Sequence, residues 1–492
     1  MKQDKAEVYS EILEKITPTK QDKKKIESLA KELEQKIDAA CTRHKIQATV
    51  RAEGSVAKNT WIRENPDIDV FMRLPESTPR KALGEISLKI AREATAGTKQ
   101  IERFAEHPYL EAFVGGVRVN IVPCYAIKRG KWLSATDRTP FHTDYVRNHL
   151  NESLISEVRL LKKFMQGIKV YGAEIKVGGF SGYLCELLIL HYESFTETLE
   201  AFAQYTRRII IDLENHYADR KNELHLLFTE PLVMIDPVDK GRNVASAVKP
   251  QRLYTFTAAA RAFLKTPSTK FFYPPPTRAY SAEVLNQTLE NHGSTYVFLT
   301  CPVIQAVPDV LWGQLYKTQR SLRKLVELTD FKVLRDTIWS DEKTVNIFIL
   351  ELEQRVLPSI KKHLGPPITR NDECDNFLAK YALANNDVVS GPYIEDGRWV
   401  VELRRRCTDA VEFLREKLKG GGRNSGVAEL VSQAFKEELS VLVNTEICKI
   451  YSNNDDFAVF LTDFLKGKPF WMLTAEAQSK GKLSKQVKTN NQ

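Results

Sequence analysis

The sequence predicts a multidomain α+β protein with a small α/β head, a helical neck, and an α+β body continued by a tail. Three observations carry this reading. Ala48, Val50 and Ala52 alternate with polar residues as in a half-buried strand, and Gly54-Ser55 and a second strand, Asp67-Ile68-Asp69-Val70-Phe71, follow. Leu154, Ile155, Val158, Leu161, Phe164, Met165 and Ile168 have helical spacing, and residues 183–202 form a long apolar run. Pro274, Pro275 and Pro276 then forbid a continuous helix and mark entry into a new unit.

In chain order, residues 5–44 carry Ile12, Ile16, Ile26, Leu29, Leu33 and Ile37 at helical intervals and are read as an N-terminal helix. After the two strands, Leu83, Ile86 and Ile90 indicate another helix. Val117, Val119 and Ile121 alternate with Arg118 and Asn120 as a third core strand, expected to end at Pro123 because proline cannot continue a ladder. This head covers residues 1–150. The neck, 151–268, holds the helix ending at Ile168, a second, mostly buried helix over 183–202, and a third after Arg252. In the body, 269–385, residues 296–301 read as a strand, Leu315, Leu322 and Leu325 as a helical stripe, and 331–338 with 345–350 as a strand pair. That helix shows Lys317, Arg320, Arg323 and Lys324 on its wetter side. The tail, 386–475, opens with a hairpin over 393–400 in which Asp396-Gly397 supplies the turn, and carries Arg404 to Arg406, Gly420 to Gly422 and Arg423. Residues 476–492, with four lysines and no acid after Glu476, are expected to be disordered.

Composition limits the function classes. A chain of 492 residues exceeds one ordinary core and calls for several domains. The formal net charge of +9 and isoelectric point near 8.9 suit a polyanionic partner, and equally a lysine-rich surface kept for solubility. Seven cysteines without Cys-x-x-Cys spacing indicate neither a disulfide framework nor structural zinc, which fits a cytoplasmic location. No apolar run reaches membrane-spanning length, and the first residues, rich in Lys and Glu, do not read as a signal peptide.

The chemistry concentrates around Gly54 and Asp67. Carboxylates at i and i+2 fall on one face of a strand, about 6.5–7 Å apart along it, with Ile68, Val70 and Met72 on the other. Such a pair can hold Mg²⁺. Upstream, Gly54 allows a tight turn and Ser55 can cap a following helix, whose free N–H groups would receive a nucleotide's phosphates. Lys58 adds charge. The order strand, Gly-Ser, helix, Asp-x-Asp strand resembles the polymerase-β-like nucleotidyltransferases.

Further blocks narrow the resemblance. Arg138-Thr139-Pro140-Phe141-His142-Thr143, Val170-Tyr171-Gly172-Ala173-Glu174, the block from Gly179 to Leu188, Asp236-Pro237-Val238-Asp239 and Arg242-Asn243-Val244-Ala245 are each similar to a block of the archaeal, class I CCA-adding enzymes. The resemblance covers nearly the whole chain. It implies addition of C, C and A to the tRNA 3′ end from CTP and ATP, with Mg²⁺ as cofactor and the tRNA acceptor end as partner. No membrane partner is expected, and a homodimer is left open. A poly(A) polymerase or oligoadenylate synthetase-like enzyme would share the head, and a catalytically weakened tRNA-binding protein is a third reading.

The resemblance also assigns residues. Asp67 and Asp69 are the expected metal ligands and catalytic carboxylates. Ser55, Lys58, Thr139, His142, Lys162, Tyr171 and Arg242 are expected to contact the nucleotide, with Lys163 adjacent to Lys162 and offering the same chemistry. The family more often has arginine where Lys58 stands, and lysine lacks the bidentate fork. The strand from Val117 to Tyr125 departs more sharply: where the family carries a third catalytic and metal-binding carboxylate, this chain has Asn120. A neutral amide can ligate a hard cation but cannot act as a general base. Either the site works with two carboxylates and Asn120, or a nearby acid such as Asp137 or Glu111 substitutes, or the enzyme is slow.

Overall fold

The computed structural model describes residues 4–104, 106–382 and 386–472; the expected disordered end at 476–492 lies outside them. Backbone contacts divide the chain into two units. One comprises residues up to Pro276 together with those from Lys468 on, and the other is Thr277–Gly467.

The first unit begins with α1 (Lys5–Ile16) and α2 (Lys20–Arg43). The single helix expected over residues 5–44 is therefore two. Thr17-Pro18-Thr19 separates them, and Thr19 caps α2 through a reciprocal box with Asp22. Five strands follow: β1 (Thr49–Glu53), β2 (Asp67–Pro75), β3 (Lys99–Phe104), β4 (Pro108–Val114) and β5 (Val117–Ala126), in the sheet order β1-β2-β5-β4-β3. Between them lie the four-residue turn of helix α3 (Gly54–Ala57) and α4 (Arg80–Ala94). Ile68, Val70, Met72, Val119, Ile121 and Leu110 form the core beneath α2 and α4, which leaves the opposite sheet face for Asp67 and Asp69.

β5 passes through Pro123 to Ala126, contrary to the expected stop. β4 pairs with β5 only as far as Ile121, so from Pro123 onward β5 has β2 alone as neighbour and the missing N–H falls at an edge.

α5 (Thr139–His149) leads into α6 (Glu152–Gly167), α7 (Gly182–Tyr192) and α8 (Phe195–Ala203). The helix expected over 183–202 is thus broken. Glu193 adopts a left-handed conformation, and Ser194 caps α8 by accepting from the Glu197 N–H. The neck is also less purely helical than the sequence suggests. After β6 (Ile209–Ile211) and α9 (Lys221–Leu227), β7 (Leu232–Asp236) and β8 (Asp239–Asn243) complete a three-stranded sheet, before α10 (Pro250–Lys265) closes the unit's main core.

The second unit opens with α11 (Ala282–Asn291), a helix outside the expected pattern, after which β9 (Thr295–Pro302), α12 (Pro308–Glu327), β10 (Val333–Ser340) and β11 (Val345–Leu352) follow the expected order. β12 (Ile360–Pro367), α13 (Asn371–Tyr381), β13 (Val388–Glu395) and β14 (Arg398–Arg404) come next, the last two joined at Asp396-Gly397. α14 (Ala410–Leu418), α15 (Glu429–Glu437) and β15 (Ser440–Val443) then return to the first sheet. The expected division between body (269–385) and tail (386–475) is not a division of this fold. β15 hydrogen-bonds to β9, giving the order β10-β11-β9-β15, and Val411, Leu414, Val431 and Phe435 share one core with Val297 and Leu299.

Candidate active site

The polar face of the head sheet carries a row of chemistry-bearing side chains. Register places Glu53 of β1, Asp69 of β2, Asn120 of β5 and Glu111 of β4 opposite one another across four adjacent strands, and Asp67 opposite Arg118. Asn120 donates its amide N–H to Asp69 Oδ1 at 2.9 Å. Arg118 clamps Asp67, with Nε at 2.7 Å from Oδ1 and Nη2 against Oδ2. Burial pushes the Asp69 carboxyl up to about 6; the Asn120 bond opposes that rise and the Asp67 charge adds to it.

Gly54 is required here twice over. Its φ is +71°, and a Cβ at this position would lie 2.1 Å from Asp69 Oδ2. The helix it opens is one turn long, and its N-cap is Glu53. Ser55 is therefore its second residue, not the cap the sequence suggests.

Ser55, Asp67, Arg118, Lys162 and Tyr171 line one cavity of about 540 Å³, with Thr60 and Phe113 among its other walls. Behind it is a buried ionic cluster. Glu186 of α7 accepts from Lys58 Nζ at 2.5 Å, Thr60 Oγ1 at 2.5 Å and Lys162 Nζ at 3.0 Å. Burial alone would raise the Glu186 carboxyl, but Lys162 and Lys58 outweigh it and hold it at about 2. Lys162 is itself lowered, because burial exceeds the pull of Glu186. The structure also separates the two adjacent lysines: Lys163 points to Glu64, at 2.5 Å, and to the Tyr273 ring, away from Glu186.

A second cluster sits on Asp236, the buried last residue of β7. His142 Nε2 lies 2.9 Å from Asp236 Oδ2, Arg242 Nη1 donates to the same oxygen at 2.7 Å, and the Tyr183 hydroxyl donates to Oδ1 at 3.3 Å. The His142 and Tyr183 rings stack at 4.0 Å. Burial would raise the Asp236 carboxyl, yet His142 and Arg242 hold it at about 2, while burial lowers His142. Tyr183 and Glu186 stand three residues apart on α7, so one helical face ties the two clusters together. Thr139 opens α5 and lines neither the cavity nor this cluster.

With this arrangement in view, comparison with known proteins identifies its family. Residues 33–149 match the nucleotidyltransferase domain, 156–273 the second domain of tRNA nucleotidyltransferase, and 292–444 the C-terminal domain of the CCA-adding enzyme. The CCA-adding enzyme of Methanosarcina acetivorans is 37% identical over 92% of this chain and 96% of its own length. This chain belongs to the CCA-adding enzyme family. That of Methanothermobacter thermautotrophicus is 37% identical over 83% of this chain and 88% of its own, and that of Haloarcula marismortui 31% over 94% and 98%.

The donor set suits the hard divalent cation expected of such an enzyme: two carboxylates on one strand face with an amide beside them, Asp67 bordering the cavity. Among the described residues no group of three or more His, Cys, Asp or Glu side chains is poised to hold a metal. Of the two acids considered as replacements at Asn120, Asp137 is excluded. It is buried and accepts from the Tyr125, Leu133 and Ser134 N–H groups and from the Ser134 hydroxyl. Glu111 stands opposite Asn120 in register and is paired with Arg103 at 3.0 Å.

Sequence reasoning passed over Arg118, Glu186, Asp236 and Tyr183. The signal for two of them was present. Glu186 is the first acid in the apolar run that begins at Tyr183, and Asp236 ends the apolar strand 232–235. A lone carboxylate inside such a segment must be paired to be buried.

Proposed function

We propose that this protein is a CCA tRNA nucleotidyltransferase, adding C, C and A to the tRNA 3′ end from CTP and ATP without a nucleic-acid template and releasing pyrophosphate at each step. The observation that carries the reading is the meeting of Asp67, on the strand that also bears Asp69, with Lys162 and Tyr171 around one cavity, in a chain aligned almost end to end with CCA-adding enzymes. Asp67 and Asp69 are the anions that would hold Mg²⁺, which when bound would supply positive charge to the attacking 3′-oxygen and the pyrophosphate leaving group.

The rest of the reaction is assigned to charge and position. Glu186 is one anion against two lysines, so the Lys58–Lys162 cluster keeps a net positive charge behind the cavity, where the triphosphate oxygens are placed. Ser55 offers its hydroxyl from the turn at Gly54. Asp236 fixes Arg242 and His142, and we assign these two to the edge of the incoming base. Asn120, neutral and donating to Asp69, orients that carboxylate and does not take the proton of the 3′-hydroxyl.

In the second unit, Lys361, Lys380, Arg404, Arg405, Arg406 and Lys417 border a cavity of about 810 Å³ together with Asp330, Asp387, Asp409, Glu412 and Glu416. Asp330 pairs with Lys361 and Arg405, and Asp387 with Arg406, so the lining carries a small positive excess, which we assign to tRNA phosphates read by shape more than by sequence. All seven cysteines are free thiols and no described helix is long and apolar enough to cross a membrane, which supports a cytoplasmic enzyme. The test is incorporation of CMP and AMP into a tRNA transcript ending at the discriminator base. Wild type is expected to extend it, and Asp67→Asn or Asp69→Asn to abolish extension while retaining the wild-type melting temperature within a few degrees. Full activity in either variant would overturn the assignment.

A further inference from the structure

Arg118 has no part in the reaction as assigned so far, yet its position is unusual. It stands on β5 two residues before Asn120 and is paired in register with Asp67. Its guanidinium engages both oxygens of that carboxylate in a bidentate fork. A cation therefore occupies one of the two anions the metal needs, and Asp67, Asp69 and Arg118 together carry −1 where the carboxylates alone would carry −2. The arrangement can be undone without disturbing the core. The Arg118 side chain is 48% exposed and borders the cavity shared by Ser55, Lys162 and Tyr171.

We propose that Arg118 is a built-in counter-cation that must release Asp67 before a divalent cation can bind, and that it transfers to the triphosphate when it does so. This inference rests on the proposed role of Asp67 and Asp69. A bound triphosphate gives the guanidinium a second anion within the same cavity, so nucleotide binding frees Asp67 and metal binding frees Arg118. By linkage each raises the affinity of the other. The metal without nucleotide meets a guarded site. With nucleotide it meets both carboxylates and phosphate oxygens, and the neutral Asn120 makes that help more necessary. A purely structural Arg118–Asp67 pair behaves differently: its loss would loosen the strand ends and weaken metal and nucleotide binding alike.

The test separates the signs. Mn²⁺ affinity is measured without nucleotide, from the electron paramagnetic resonance of the free ion, for wild type, Arg118→Ala and Arg118→Gln. CTP affinity is measured separately by equilibrium dialysis with no tRNA present. Both variants are expected to bind Mn²⁺ about three- to tenfold more tightly, because an exposed but bidentate competitor is gone, and CTP about tenfold more weakly. Mn²⁺ binding equal to or weaker than wild type in two variants that melt normally would overturn the proposal. Asp67→Asn distinguishes the two levels of the argument. Mn²⁺ binding indifferent to that change would overturn the metal reading itself, and the role of Arg118 with it.

Discussion

Replacing Glu186 by glutamine is the perturbation with the clearest physical consequence. Its carboxylate and the Lys162 ammonium are 1% and 3% exposed, and the Lys58 side chain is 7% exposed. Glutamine keeps the shape but removes the anion that both lysines contact, leaving two buried lysines whose mutual repulsion is no longer opposed within the cluster. Breaking a buried ion pair from one side costs about 3–5 kcal/mol. In a unit of this size each kcal/mol moves the melting temperature by roughly 2–4 °C, so a drop of about 10 °C is expected by calorimetry. The pH dependence carries the sign. In the variant Lys162, which burial already lowers, loses the Glu186 charge that opposes that shift, so the unfolded chain binds more protons and stability rises with pH. The deficit should therefore narrow between pH 7 and pH 10. In wild type the Glu186 carboxyl, at about 2, lies below its unfolded value. Its contribution is complete above about pH 4.5 and is lost as pH falls toward 2. A Glu186→Gln protein that melts within 1 °C of wild type at neutral pH would refute the buried triad.

Other expectations follow from the same contacts. Asn120→Asp should lower the Mg²⁺ midpoint for CMP and AMP incorporation several-fold, since it adds an anion beside Asp69; an unchanged midpoint would remove Asn120 from the metal's surroundings. Gly54→Ala should cut kcat at least a hundredfold in a steady-state assay while costing only about 1–2 kcal/mol in stability, because a Cβ must displace Asp69 from a backbone held at φ +71°. Asp236→Asn should raise KM for both nucleotides and blur the choice between CTP and ATP, as Arg242 and His142 lose their shared anion; competition between labelled nucleotides measures this.

The head was the most legible part of the sequence, because its strands alternate cleanly and its carboxylates sit at i and i+2. What was missed shares a physical cause. Pro18 and Glu193 interrupt apolar patterns that continue on either side, so periodicity alone joined two helices in each case. The strands Ile209–Ile211 and Leu232–Asp236 are too short and too apolar to be told from buried helix by their period. β15 joins β9 across well over a hundred residues of chain, a pairing no local signal records. At the site, the resemblance named Lys58, Lys162, His142 and Arg242 one at a time. It did not show that two buried acids, Glu186 and Asp236, hold them in pairs, nor that Asp67 is covered by Arg118.

The most direct test of the account is the order of nucleotide addition, resolved to single residues on a denaturing gel, using tRNA transcripts that end at the discriminator base, at C, or at CC. With CTP alone the first transcript should gain two residues and stop. ATP alone should extend only the CC-ended transcript, by one, and both nucleotides together should give a single product three residues longer. Heterogeneous A-tails on any transcript, or tight tRNA binding with no incorporation even in Mn²⁺, would contradict it.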